Sequence, residues 1–68
     1  MWCQDVWTAA AARKVAQTVL GLRQTTWVTR VERWRSEWED DDHPWVEWRV
    51  YNLQGRRHMT QRDADPSS

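Results

Sequence analysis

Seven of the 68 residues are tryptophan, and the sequence has no phenylalanine and no isoleucine. The other large aliphatics are Leu20, Leu22, Leu53 and seven valines, 10 residues of 68. That is below the ~20% of Leu, Ile, Val and Phe under which chains tend towards disorder. An indole can bury ~150–250 Å². Trp2, Trp7, Trp27, Trp34, Trp38, Trp45 and Trp48 therefore have to supply what the aliphatics do not, and any core must be tryptophan-centred. A domain of this length buries only about 60% of the surface its unfolded chain exposes. It can hold one small core, and it has little chain left to shape a substrate pocket.

Helical periodicity organises much of the chain. Trp7, Ala11, Val15, Thr18 and Leu22 share one helical face, and Ala9 to Ala12 are the best helix formers available. Asp5 is placed to cap the N-terminus, and Gly21 stands where a left-handed residue ends a helix. This predicts a helix over 5–20. Trp27, Val31, Trp34 and Trp38 fall at i, i+4, i+7 and i+11, which predicts a second helix over 27–39. Pro44 suits a first helical position, Val46, Val50 and Leu53 recur at i, i+4, i+7, and Gly55 follows. A third helix is expected over 44–54. From Arg56 onward only Met59 and Ala64 are apolar, so residues 56–68 are expected to be a disordered tail beyond a domain of residues 1–55. The fold class expected is all-α, a small three-helix arrangement.

A second reading is α+β, one helix plus a β-hairpin. Val46, Trp48 and Val50 alternate with Trp45, Glu47, Arg49 and Tyr51, and these residue types favour strands. A hairpin with the second segment would turn at residues 39–44. That stretch lacks Asn-Gly or Asp-Gly and stacks like charges, so the glycine punctuation decides for helices. Trp45-Val46-Glu47-Trp48-Arg49-Val50, with Asn52 and Gly55-Arg56, resembles the first strand and turn of a WW domain. The second-strand aromatics, the second Trp and the Pro behind it are missing, and no family membership follows.

The formal charge is zero but segregated: +4 over residues 1–36, −6 over 37–47 and +2 over 48–68. Zero net charge argues against non-specific attraction of the whole chain to nucleic acid. Cys3 is the only cysteine, so no intramolecular disulfide forms, and an intracellular, cytoplasmic setting is expected. Residues 1–5 have no basic stretch leading into an apolar one, as a signal peptide would. A mitochondrial transit segment is the weaker reading of residues 1–30. No apolar run approaches a membrane span's ~20 residues.

No catalytic constellation is present. Nucleophile elbow, Walker loop and glycine-rich fingerprint are all missing, and Asp42-His43 is only a sequence neighbourhood. Cys3, His43 and His58 have no zinc-type spacing, and the acids Asp40 to Asp42 are contiguous where a calcium loop alternates them. The expectation is a non-enzymatic chain with no catalytic, metal or cofactor site and no small-molecule substrate. Trp and Arg dominate binding hot spots, and here they interleave. The expected function is protein interaction or self-association through a Trp/Arg-rich face. Trp34, Trp38, Trp45 and Trp48 would be its anchors, and Arg30, Arg33 and Arg49 would meet acids or aromatics of a partner. Single-stranded nucleic-acid binding, by Arg contacts and Trp stacking, is the alternative. Nine Arg against one Lys reads as GC-rich coding, and a translated frame with no evolved function is the third reading.

Overall fold

The computed structural model describes residues 2–35 and 45–64. Strand β1 (Trp2–Thr8) passes directly into helix α1 (Ala9–Thr18), and strands β2 (Arg30–Arg35), β3 (Trp45–Tyr51) and β4 (Arg57–Ala64) follow. The strands form one antiparallel sheet in the order β1-β2-β3-β4. The expected all-α, three-helix fold is therefore incorrect. Among the described residues only the first of the three helices is present, shortened to 9–18. Residues 30–35 and 45–51, inside the expected helices at 27–39 and 44–54, pair with each other as strands. Residues 57–64, inside the expected disordered tail at 56–68, pair with β3. The helix-plus-hairpin alternative contains the β2–β3 pair but lacks both outer strands. The acidic stretch at 37–42, Trp38, His43 and Pro44 lie outside the described residues.

The reason is in the residue types. β-Branched and aromatic side chains fit a pleated, half-buried surface, and Trp, Val and Thr lose rotamer freedom in a helix. Asp5 does not cap the helix. It lies within β1, and its carboxylate pairs with Arg33 of the neighbouring strand. α1 has no side-chain cap bond, no acid in its first turn and no base in its last. Alanine propensity and burial of Ala12 and Ala16 hold it. These small residues let the helix lie close against the sheet. The sharp entry is made at Ala9, whose φ is +52°, with its N–H donating to the Thr29 carbonyl at 3.1 Å.

Gly55, read from sequence as a helix end, instead closes the β3–β4 hairpin. Its φ is +74° and its N–H donates to the Asn52 carbonyl at 2.9 Å, the closure of a four-residue turn. The Asn52 side-chain oxygen accepts from the N–H groups of Gln54 and Arg56, both at 3.0 Å. Asparagine leads this kind of turn because its short side chain substitutes for a backbone acceptor.

Cross-strand register assigns side chains to two faces. Trp7, Val31, Val50 and Met59 lie in line across the four strands, and Arg33 stands opposite both Asp5 and Trp48. That face packs under α1 and the segment leading to β2. Its core is Ala12, Ala16, Val28, Val31, Val46, Trp48 and Val50, with Trp7, Val15, Leu20, Leu22, Trp27 and Met59 around it. The rings of Trp7 and Trp48 stack at 5.9 Å. Against the expectation of a tryptophan-centred core, Trp48 is the one buried indole among the described residues, and the largest fully buried side chains are Val28, Val31 and Val50.

Candidate functional site: the open face of the sheet

Strand alternation sends the other half of the side chains to the opposite face. β1 contributes Cys3, Val6 and Thr8. β2 contributes Arg30, Glu32 and Trp34. β3 contributes Trp45, Glu47, Arg49 and Tyr51, and β4 contributes Arg57, Thr60 and Arg62. Among the described residues no helix packs over this face.

Two carboxylates organise it. Glu32 accepts from Arg30 Nε at 2.7 Å, from the Trp34 indole at 2.9 Å and from the Tyr51 hydroxyl at 3.0 Å. Glu47 accepts from Arg49 Nε at 2.5 Å and from Arg62 Nη2 at 2.9 Å. The two units are joined by stacking. The Arg49 guanidinium lies 4.1 Å from the Trp34 ring centre, Arg62 lies 3.9 Å from that of Trp45, and Arg30 lies 6.0 Å from that of Tyr51. One chain of contacts thus runs across three strands, from Tyr51 through Glu32, Trp34, Arg49, Glu47 and Arg62 to Trp45.

Glu32 and Glu47 are 6% and 4% exposed, although among the described residues no helix covers them. Arginine stems and indole rings of their own face shield them. This burial pushes the Glu32 carboxyl up, but the bonds from Trp34, Arg30 and Tyr51 outweigh it and hold the group below its ordinary value. At Glu47 burial is likewise outweighed, by Arg62 and Arg49. The acceptor role has the reverse effect on the donor. Burial first, and then the Glu32 carboxylate, raise the Tyr51 hydroxyl. Burial and the Glu32 charge also raise the Cys3 thiol.

What solvent meets is therefore not charge-balanced. The acids are sunk, while the side chains of Arg30 and Arg62 are 44% and 57% exposed. Among the described residues, the open face thus turns these guanidinium groups to solvent beside half-buried Trp34, Trp45 and Tyr51.

Of the residues expected from sequence to form a recognition face, Trp34, Trp45, Arg30 and Arg49 are brought together here. Trp48 and Arg33 lie on the opposite, helix-covered face, where Trp48 is core and Arg33 sits 5.9 Å from its ring centre while pairing with Asp5. Trp38 is outside the described residues. Sequence reasoning missed Tyr51, Arg62 and the organising acids Glu32 and Glu47. The available signal was spacing: Arg30, Glu32 and Trp34, and likewise Glu47, Arg49 and Tyr51, recur at i, i+2, i+4, one face of a strand. Among the described residues no group of three or more His, Cys, Asp and Glu side chains is arranged to hold a metal ion. No helix of the described residues is long and apolar enough to cross a membrane. Comparison with protein-family models, with curated proteins and with solved structures gives no match.

Proposed function

We propose that the chain is a non-catalytic interaction module whose open sheet face docks an acidic protein segment. The observation that carries this reading is the asymmetry of that face, with its carboxylates sunk and the guanidinium groups of Arg30 and Arg62 outward beside half-buried Trp34 and Trp45. Trp34, Trp45 and Tyr51 supply apolar area. Arg30 and Arg62 each spend one donor on an internal carboxylate, and a guanidinium has five. The remaining donors suit bidentate capture of a partner's carboxylates.

Single-stranded nucleic acid shares the attraction to arginine but needs free ring faces for its bases. Guanidinium groups stand over the rings of Trp34 and Trp45. A base could stack there only after displacing them, which favours the protein partner.

The test is a titration followed through the indole N–H resonances, assigned with Trp34→Phe and Trp45→Phe. The probes are an Asp/Glu-rich peptide with interspersed leucines and, separately, oligothymidylate. The peptide is expected to shift the Trp34 and Trp45 signals, and Arg30→Glu with Arg62→Glu should abolish the shift. Response to the oligonucleotide alone would reverse the choice, and response to neither would remove the reading.

A further inference from the structure

We propose that edge strand β1 pairs antiparallel with β1 of a second copy, joining two sheets into one of eight strands. The inference is independent of what the open face binds.

β1 and β4 are the outer strands, so each turns a row of backbone N–H and C=O groups outward. Such edges template further pairing unless charge, proline or irregularity blunts them. Both edge strands carry one extra residue, Gln4 in β1 and His58 in β4, so charge separates them: Arg57 and Arg62 line β4. Two copies of β4 would bring arginines together. β1 (Trp-Cys-Gln-Asp-Val-Trp-Thr) has no lysine, arginine or proline. Its one charge, Asp5, is already paired with Arg33. Trp2 and Val6, 40% and 44% exposed, are two of the four exposed large apolar residues among the described ones, and both are on this strand.

The irregularity in β1 selects a register. Gln4 is an extra residue between Cys3 and Asp5, so Trp2, Asp5 and Trp7 share the helix-side face while Cys3, Val6 and Thr8 share the open one. Pairing across a two-fold axis normal to the sheet keeps each face on its own side. The longest alignment that respects this sets Trp2 opposite Trp7 of the second copy, Cys3 opposite its Val6, and Gln4 opposite its Asp5. Aromatic cross-strand pairs then flank the axis on one face. No two aspartates meet. The two open faces become coplanar, doubling the surface of Trp34, Arg49 and their neighbours.

Sedimentation of the wild-type protein from ~10 μM to ~1 mM, a range that brackets weak association, should show a monomer–dimer equilibrium. Val6→Lys, a lysine on an exposed edge, should weaken it at least tenfold. A cysteine pair reads the register. Val6→Cys should yield a disulfide-linked dimer on mild oxidation, through Cys3 of one copy and the new thiol of the other. The same change in a Cys3→Ser background should not. Cross-linking that persists without Cys3 would put position 6 opposite itself and overturn the register. A wild-type protein monomeric across the range, or a Val6→Lys variant that associates equally well, would overturn the dimer.

Discussion

Replacing Glu32 by glutamine isolates the electrostatic part of the open face, because the side chain keeps its shape. Three donors converge on the carboxylate, two on Oε1 (Trp34 and Tyr51) and one on Oε2 (Arg30). Glutamine retains one carbonyl oxygen, so the first two bonds persist as neutral ones, while an amide N–H₂ now faces the Arg30 donor. Bonds to a charged group contribute about 1.5–3 kcal/mol each, and neutral ones roughly half that. The two retained bonds therefore lose ~0.8–1.5 kcal/mol apiece. The Arg30 pair is nearly half exposed and adds ~0–1 kcal/mol after screening. The expected cost is ~2–4 kcal/mol. At ~0.05–0.15 kcal/mol per residue, 68 residues give a total stability of ~3–10 kcal/mol, so the loss is a large fraction of it. Urea unfolding followed by tryptophan fluorescence should show a midpoint lower by ~2–4 M at an m-value near 1 kcal/mol/M. Tyr51 is the only tyrosine in the sequence, so its absorbance titration reads the same bond separately. Part of its upward shift comes from Glu32, and in the glutamine variant it should ionise at lower pH. A stability change under ~0.5 kcal/mol, within the scatter of surface substitutions, with an unmoved tyrosine titration would refute the network.

Acid should act on the same groups. Glu32 and Glu47 are held below their ordinary value of 4.5 when folded. Their stabilisation is therefore complete above about that pH and lost as pH falls through the lowered folded values. An acid titration of Glu32→Gln with Glu47→Gln should lose that part of the slope. Trp48→Ala removes an indole stacked on Trp7 and buried in the core, at a cost of ~3–5 kcal/mol. Circular dichroism should find this variant largely unfolded at room temperature. Ala9→Gly relieves a left-handed conformation that costs an L-residue ~1–2 kcal/mol against ~0.5–1 kcal/mol of added chain entropy. Its thermal midpoint should stay level or rise, and a clear fall would contradict the φ of +52°. Asn52→Ala strips the acceptor from the Gln54 and Arg56 amides. It should cost about 1 kcal/mol, the usual net worth of such bonds, with faster amide exchange confined to residues 52–56.

The first helix was legible because Ala9–Ala12 has no competing use. Two other features misled. Val31 and Trp34 have opposite parity, which counts against a strand whose apolar residues all face one way. Here both faces carry aromatics: Val31 lies under the helix, and Trp34 lies on the open side beneath Arg49. The failure of simple alternation was thus the mark of an aromatic outer face, and it imitated a helical stripe. Gly55 misled for a simpler reason. A glycine with positive φ ends a helix and closes a hairpin equally well, and the discriminating residue was Asn52, three positions earlier. β4 had no apolar signal because an edge strand need bury little beyond one side chain, here Met59. Cross-strand partners such as Arg62 and Glu47 depend on register, which a linear sequence does not state.

The composition of the open face is not what stability alone would select. Taking carboxylates and guanidinium groups out of water costs several kcal/mol per ion before their attraction repays it, and apolar replacements are often as stable or more so. A threonine and valine face would meet the strand propensities of β2 and β3 without two buried acids. What the Glu–Arg–Trp lattice does provide is fixed geometry. Arg30 and Arg62 are each held by a carboxylate and set against a ring, Arg30 by Glu32 and Tyr51 and Arg62 by Glu47 and Trp45. An arginine already ordered loses less side-chain freedom when a partner arrives, and immobilising such a chain otherwise costs ~0.5–1.5 kcal/mol. The lattice is therefore more economical as a preorganised binding surface than as a means of holding the sheet together. That difference separates the two roles experimentally. Replacing Glu47 by glutamine should weaken capture of an acidic peptide through a looser Arg62, even under conditions where the fold remains fully populated.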